Sequence, residues 1–178
     1  SPWLNDYAAF SLMAVTGDLK YQEDDRESWF SHKAETAKPY HYSAYLADYD
    51  VVAEVTPTSR AAHFQFTFPE EDTSYIILDA FFKGSEVKIL PEERKIIGYC
   101  RNNRGGVPEN FHNYFVAQFD KDFEITHTWK DNWKLQKNNL NSKGKHVGAI
   151  IGFKTKRGEK VRVKVASSFI SLEQAQLN

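Results

Sequence analysis

Strict alternation of apolar and polar side chains over His63-Phe64-Gln65-Phe66-Thr67-Phe68 leaves this part of the chain little choice of local structure. Only an extended strand, with its two-residue period, puts Phe64, Phe66 and Phe68 on one face; a helix would scatter the rings around its circumference. The pattern extends over the whole stretch from Pro39 to Pro69. Tyr42–Leu46 and Val51–Val55 are rich in β-branched and aromatic residues, Asp48-Tyr49-Asp50 supplies turn chemistry between them, and Pro57 and Pro69 mark breaks. Three phenylalanines facing water would invite aggregation, so a second layer has to cover them, each full burial contributing roughly 1.5–3 kcal/mol. The stretch reads as strand, turn, strand, turn, strand, one wall of a layered β structure.

The remaining chain carries the same signals. Ala9–Val15 reads as a mostly buried strand stopped by Gly17-Asp18, and Gln22–Glu27 reads as a solvated polar loop. Glu70–Thr73 reads as a turn, and Tyr75–Phe82 as a continuous apolar strand of the kind buried on both faces. Glu86–Leu90 and Lys95–Tyr99 flank Pro91-Glu92-Glu93-Arg94 as a hairpin, and Asn102–Pro108 is the strongest loop signal. Tyr114–Phe119, Phe123–Trp129, Val147–Phe153 and Val161–Val165 follow as strands, with a polar connector over Lys137–Lys145 and a tight turn at Lys156–Glu159. This makes about ten short strands at regular spacing with no helical pattern between them. The expected fold is all-β, an antiparallel two-sheet β-sandwich. Only the end changes period: Ser171-Leu172-Glu173-Gln174 has a capping hydroxyl with Gln three residues on, so a short helix is expected to start there. A lone helical turn is marginal in water, which points to a natural protein continuing into a helical region.

A chain of 178 residues suits one core. Lys plus Arg number 23 against 24 Asp plus Glu, interspersed, so no basic tract points to nucleic acid; no apolar run of about 18 residues points to a membrane span. The opening Ser1–Asp6 has no basic start, apolar segment or initiator Met, and reads as the start of an internal or processed piece. Cys100 stands alone, so no internal disulfide forms and either side of a membrane suits the chain.

Chemistry-bearing motifs are sparse. His32, His41, His63, His112, His127 and His146 show no paired ligand spacing, Cys100 has no partner at a metal-ligand spacing, and Gly105-Gly106 is a turn or a weak anion nest. Aromatic residues make up 15% of the chain, more than a core of this size obviously needs. Trp129 and Trp133, four apart with Lys130-Asp131-Asn132 between them, would share a face of an extended strand. That pair reads either as strand-edge core packing or as a stacking platform for a pyranose ring, which would make the chain a free-standing carbohydrate-binding module. A second grouping, Trp3, Asn5, Asp6 and Tyr7, gathers an indole, an amide, a carboxylate and a phenol, a mixture suited to gripping a polyol and equally the composition of a frayed terminus. Sequence alone singles out no pair of catalytic carboxylates, because their separation across the fold decides.

Several motifs in order resemble the N-terminal β-sandwich domain of the family-92 glycoside hydrolases, bacterial exo-acting α-mannosidases. They are Phe30-Ser31-His32-Lys33-Ala34-Glu35, Pro39-Tyr40-His41-Tyr42-Ser43-Ala44-Tyr45-Leu46, Ala53–Thr56 with Arg60 and His63, Phe68-Pro69, Ile76–Asp79, Ile97-Gly98-Tyr99, Tyr114–Ala117, Thr128-Trp129 and the close Val165–Ala175. Pro39-Tyr40-His41-Tyr42 departs from the Pro-Gly-Tyr-Tyr of many members, as does Cys100-Arg101-Asn102-Asn103 after Tyr99, which leaves linkage specificity open. The resemblance implies that residues 1–171 form a sandwich truncated at its N-terminus and that 172–178 begin a linker helix. That helix would lead to a catalytic helical-toroid domain outside the chain. It implies an inverting hydrolysis of terminal α-mannosides in which one carboxylic acid protonates the leaving oxygen and one carboxylate activates water, with calcium and both carboxyls in the helical domain. The chain itself would hold no cofactor and would be inactive alone. Its partners would be the helical domain and a mannose-containing glycan, and Trp3, Asn5, Asp6 and Tyr7 would contribute to the pocket rim, Trp3 by stacking and Asp6 by accepting a hydroxyl.

Overall fold

The computed structural model describes residues 10–103 and 105–178. In chain order its strands are β1 (Ser11–Thr16), β2 (Thr36–Lys38), β3 (His41–Leu46), β4 (Val51–Pro57), β5 (Ala61–Phe68), β6 (Glu71–Asp79) and β7 (Ser85–Leu90). They continue as β8 (Lys95–Cys100), β9 (Asn113–Phe119), β10 (Ile125–Lys130), β11 (Lys134–Lys137), β12 (Asn141–Gly144), β13 (Val147–Thr155) and β14 (Glu159–Ser168), and close on the helix α1 (Leu172–Leu177). A five-stranded sheet has the order β1-β6-β13-β10-β11, and a nine-stranded sheet the order β12-β7-β8-β9-β14-β5-β4-β3-β2; every pairing is antiparallel. The two-sheet sandwich read from the alternation is the observed architecture.

The Phe64–Phe68 alternation does what its period requires. Phe66 and Phe68 are buried, Phe64 packs against the core, and successive ring centroids lie 6.2 and 6.4 Å apart. Val161 and Val163 of β14 sit beside Phe66 and Phe64 in register and are fully buried. Phe68 meets Phe153 of the opposite sheet edge-on at 5.7 Å, so this is the second layer that the three rings demanded. The hairpin β7–β8 turns through a single 3-10 turn at Pro91–Glu93, closed by Arg94 in the left-handed region. Helix α1 begins where the capping pattern placed it: Ser171 Oγ accepts the Gln174 amide at 3.2 Å, and Ala175 is buried against β14 and β9.

The central strands β6 and β13 are buried on both faces. Phe153 faces the nine-stranded sheet, and with it, by alternation, Ile151, Ile76 and Leu78. Tyr75, Ile77, Ile150 and Trp129 point the other way, and this outer face is covered by the segment between β1 and β2. Leu19 and Tyr21 pack onto it, Tyr21 lying 5.8 Å from Trp129 and donating its hydroxyl to the Trp133 carbonyl at 2.7 Å. The Tyr49 hydroxyl ties the strap from beyond, reaching the carbonyls of Asp25 and Glu27.

Gln22–Glu27 is the expected loop, exposed at every residue except Arg26, which is buried because the strap lies across an apolar sheet face that also contains a carboxylate. Four local expectations are corrected. Glu71–Thr73 is strand rather than turn, since Glu71 already pairs with Thr155. The apolar run from Tyr75 leaves the sheet at Asp79; Phe81 is left-handed at φ 50° and Phe82 turns outward, half exposed. Within the Lys137–Lys145 connector, Asn141–Gly144 forms β12, a polar edge strand paired with β7 whose Ser142 is buried. The described residues thus form fourteen strands rather than about ten, the additions being short polar edge pieces without an apolar alternation to announce them.

Candidate functional site

A buried polar centre sits at the end of the sandwich where β6 finishes. Asp79 is fully buried at that end, opposite Ser11 on one side and Gly148 on the other. A carboxylate there needs partners, because an isolated charge in an apolar interior is prohibitively costly. Arg26 Nη2 donates to Oδ2 at 2.7 Å, His146 Nε2 donates to Oδ1 at 2.8 Å, and the Phe81 amide donates to Oδ1 at 2.9 Å. Burial pushes the Asp79 carboxyl up. The hydrogen bond and charge of His146, the Arg26 charge and the Phe81 amide outweigh burial and hold it below the usual carboxylate range. With Asp79 ionised and accepting only, the His146 nitrogen that faces it must carry the proton.

Around this centre runs a chain of rings. His146 lies 4.3 Å from Phe82 and 4.6 Å from Trp133; Trp133 lies 5.5 Å from Trp129, and the Arg26 guanidinium sits 5.7 Å over Trp133. Two loop tips supply the geometry. Phe81, Lys83, Asp131, Asn132 and Trp133 are five of the eight non-glycine residues with positive φ among the described residues. Such conformations cost about 1–3 kcal/mol each and persist only where the surroundings hold them. The holding contacts are visible: Ser85 Oγ donates to the Phe81 carbonyl at 3.0 Å, Lys83 Nζ reaches the Asn103 carbonyl, and Asp131 Oδ1 accepts the His146 amide at 3.0 Å. Phe10 packs at this end too, 4.6 Å from Phe115.

Trp129 and Trp133 do meet, but not on one face of an extended strand. β10 ends at Lys130, and Trp133 is reached through a left-handed turn. Trp129 is fully buried beneath Tyr21, its indole N–H without a hydrogen-bond partner among the described residues. The absence of a side chain at Gly148 makes room for it, since a Cβ there would sit 2.0 Å from its ring. No sugar can lie on it, so the exposed-platform reading, and with it a carbohydrate-binding module built on Trp129 and Trp133, is overturned in favour of core packing. Trp3, Asn5, Asp6 and Tyr7 lie outside the described residues.

The segment before β2 and strand β3 gather a second, exposed group: His32 Nδ1 and the Tyr42 hydroxyl both lie 2.8 Å from the Glu35 carboxylate, and the two hydrogen bonds lower its pKa. Phe30 packs edge-on against His32 at 5.1 Å. Asp131, Glu159 and Glu173 are lowered as well. These shifts run opposite to the raised carboxyl that a general acid requires. Among the described residues no group of three or more His, Cys, Asp or Glu could hold a metal ion, so no calcium ligand is assigned to them. Burial pushes the Cys100 thiol up to about 12, which leaves it inert.

The reading of the sequence missed the Arg26–Asp79–His146 centre. One signal was available: Asp79 is the only charge in the run Tyr75–Phe82, and a charge inside a strand buried on both faces demands a partner.

A family model described as the glycosyl hydrolase family 92 N-terminal domain matches residues 1–168. The chain belongs to that family. Among solved structures, it aligns with an inverting family-92 mannosidase from Bacteroides thetaiotaomicron VPI-5482 at 37% identity and a TM-score of 0.90, over 95% of this chain and 23% of that one. A family-92 α-mannosidase from Bacteroides thetaiotaomicron, solved in complex with mannoimidazole, aligns at 33% identity and 0.84, over 97% of this chain and 25% of that one. A further family-92 glycosyl hydrolase shares the fold at 20% identity and 0.82, over 95% of this chain and 24% of that one. No curated protein matches the chain. This family-92 domain therefore spans about a quarter of the length of the solved enzymes it matches.

Proposed function

We propose that this chain is the non-catalytic N-terminal domain of an inverting exo-α-mannosidase that removes terminal α-mannosides from glycans. Residues 1–171 are its sandwich and 172–178 the opening turn of a linker to a catalytic helical domain of the same protein. The observation that carries the reading is the match of nearly the whole chain to about a quarter of enzymes that are mannosidases. Inverting hydrolysis needs a carboxylic acid of raised pKa facing a carboxylate across roughly 6.5–9.5 Å. The perturbed carboxyls described here are all lowered, which supports placing the acid in the other domain, and the base and calcium are assigned there with it. The domain's part is a rigid scaffold and a share of the pocket rim, to which Trp3, Asn5, Asp6 and Tyr7 contribute.

The test compares this chain with the full-length protein on aryl α-mannosides and mannobiose in the presence of calcium, following the anomer released by proton NMR. The expected result is no turnover by the isolated chain and release of β-mannose by the full-length protein. Turnover by the rigorously purified chain, or α-mannose as the first product, would overturn the reading.

A further inference from the structure

We propose that Phe82 is a pyranose-stacking residue, backed by His146 and positioned by Asp79. The inference rests on the mannosidase reading and names a rim contact of that same pocket.

Three observations converge on this ring. Phe82 is 52% exposed, although it continues an apolar run whose other members down to Asp79 are buried. Its exposure is built: Phe81 and Lys83 on either side have φ of 50° and 70°, and Gly84 follows at 108°. Two bulky residues and a long cation held in left-handed or outward conformations are a costly way to place a phenyl ring in water, unless something rests on it. The turn is also held from within. Asp79 accepts the Phe81 amide, Ser85 donates to the Phe81 carbonyl, and the inner face of Phe82 packs on His146, whose ring is fixed through Nε2 by Asp79. The same carboxylate thus sets the backbone before the ring and the imidazole behind it.

The surroundings argue for a sugar rather than a protein surface. One phenyl ring is bordered by polar loop tips, Lys83, Asn132 and Lys145 being exposed. A protein partner needs roughly 1,200–2,000 Å² of buried surface with a contiguous apolar centre. The apolar C–H face of a single pyranose matches a single ring. His146 itself is buried behind the ring, so Phe82 is the group that this pair presents to a ligand.

The experiment uses the full-length protein with Phe82→Ala, Phe82→Leu and Phe82→Tyr, assayed for kcat and KM on mannobiose. Unfolding midpoints should stay near wild type, because the ring is half exposed. Phe82→Ala is expected to raise KM or lower kcat/KM about tenfold, the size of one aromatic stacking contact. Phe82→Leu should be nearly as poor, and Phe82→Tyr should keep wild-type values within about twofold, as an intact ring should. Kinetics of Phe82→Ala within twofold of wild type, or Phe82→Leu equal to Phe82→Tyr, would sink the stacking role. If the wild type hydrolyses no α-mannoside, the mannosidase reading itself fails. Phe82 is then judged by tryptophan-fluorescence titration with mannobiose: a saturable response lost in Phe82→Ala supports it, and no response, or an equal one in both proteins, overturns it.

Discussion

Asp79→Ala isolates what the buried centre does for the fold. The substitution removes the acceptor of three hydrogen bonds, from Arg26, His146 and the Phe81 amide, and leaves a guanidinium that is 7% exposed with no opposite charge. Breaking a buried pair by deleting one partner costs about 3–5 kcal/mol, because the remaining charge stays desolvated. For a domain of this size each kcal/mol lowers Tm by about 2–4 °C, so the expected drop is roughly 6–20 °C. Urea unfolding followed by tryptophan fluorescence reports it directly, since Trp129 and Trp133 lie beside the centre. Adding Arg26→Met to Asp79→Ala should recover part of the loss by removing the stranded charge. The pH dependence has a definite sign. A folded carboxyl held below its unfolded value of about 3.9 binds its proton later than the unfolded chain does. Its stabilisation is therefore complete above about pH 4 and is lost as pH falls through the depressed folded value. The stability gap between wild type and Asp79→Asn should accordingly close on acidification below about pH 4. A loss under about 1 kcal/mol in Asp79→Ala, or strict additivity with Arg26→Met, would refute the assignment of the cluster as a charge-compensated unit.

Two further outcomes test the core. Trp129→Ala should destabilise by about 3–5 kcal/mol and Gly148→Ala by about 1–3 kcal/mol or more, the first leaving a cavity and the second driving a methyl into the Trp129 ring; urea midpoints check both. Cys100, buried with its thiol pushed up to about 12, should resist a disulfide-exchange reagent at pH 8 in native buffer and react at once in concentrated urea.

How much was legible in the sequence follows from how each element is stabilised. Phe64, Phe66 and Phe68 announced their strand because the two-residue period and the burial requirement act on the same residues; its register with Val161 and Val163 came only with the structure. The hairpin at Pro91–Glu93 and the cap at Ser171 were legible for a similar reason, since local backbone chemistry decides them. Edge strand β12 was not, because Asn141–Gly144 owes its conformation to pairing with β7 and has no alternation of its own. The strap was legible as an exposed loop except at Arg26. Gln22–Glu27 is polar by composition, and only the position of Asp79 on the far side of a doubly covered sheet explains why Arg26 turns inward. Trp129 and Trp133 do meet, but through the left-handed turn after Lys130 rather than by strand spacing, and their burial depends on Tyr21 lying over them, a contact more than 100 residues distant in the chain.

The same long-range logic explains why a charged centre belongs at this end of the domain. A sandwich fixes its strands through apolar packing, which is indifferent to small rotations of the loops beyond the last paired residue. The loops at the end of β6, between β10 and β11, and before β13 leave the sheet next to one another, and none has apolar residues enough to fix itself. Directional bonds to one carboxylate do what packing cannot: Asp79 joins the strap through Arg26, the turn at Phe81 through its amide and the turn at His146 through its ring, while Asp131 secures the His146 amide. Replacing the set by hydrophobic residues of similar volume could leave stability unchanged or improve it. It would remove the acceptor of the Phe81 amide and the imidazole on which Phe82 and Trp133 pack, while the bonds of the Asp131 turn to the His146 backbone remain. A variant carrying Arg26→Met, Asp79→Leu and His146→Leu is therefore expected to unfold at or above the wild-type midpoint yet to lose amide-exchange protection at Phe81. Retained protection at Phe81 would show that packing alone sets that turn.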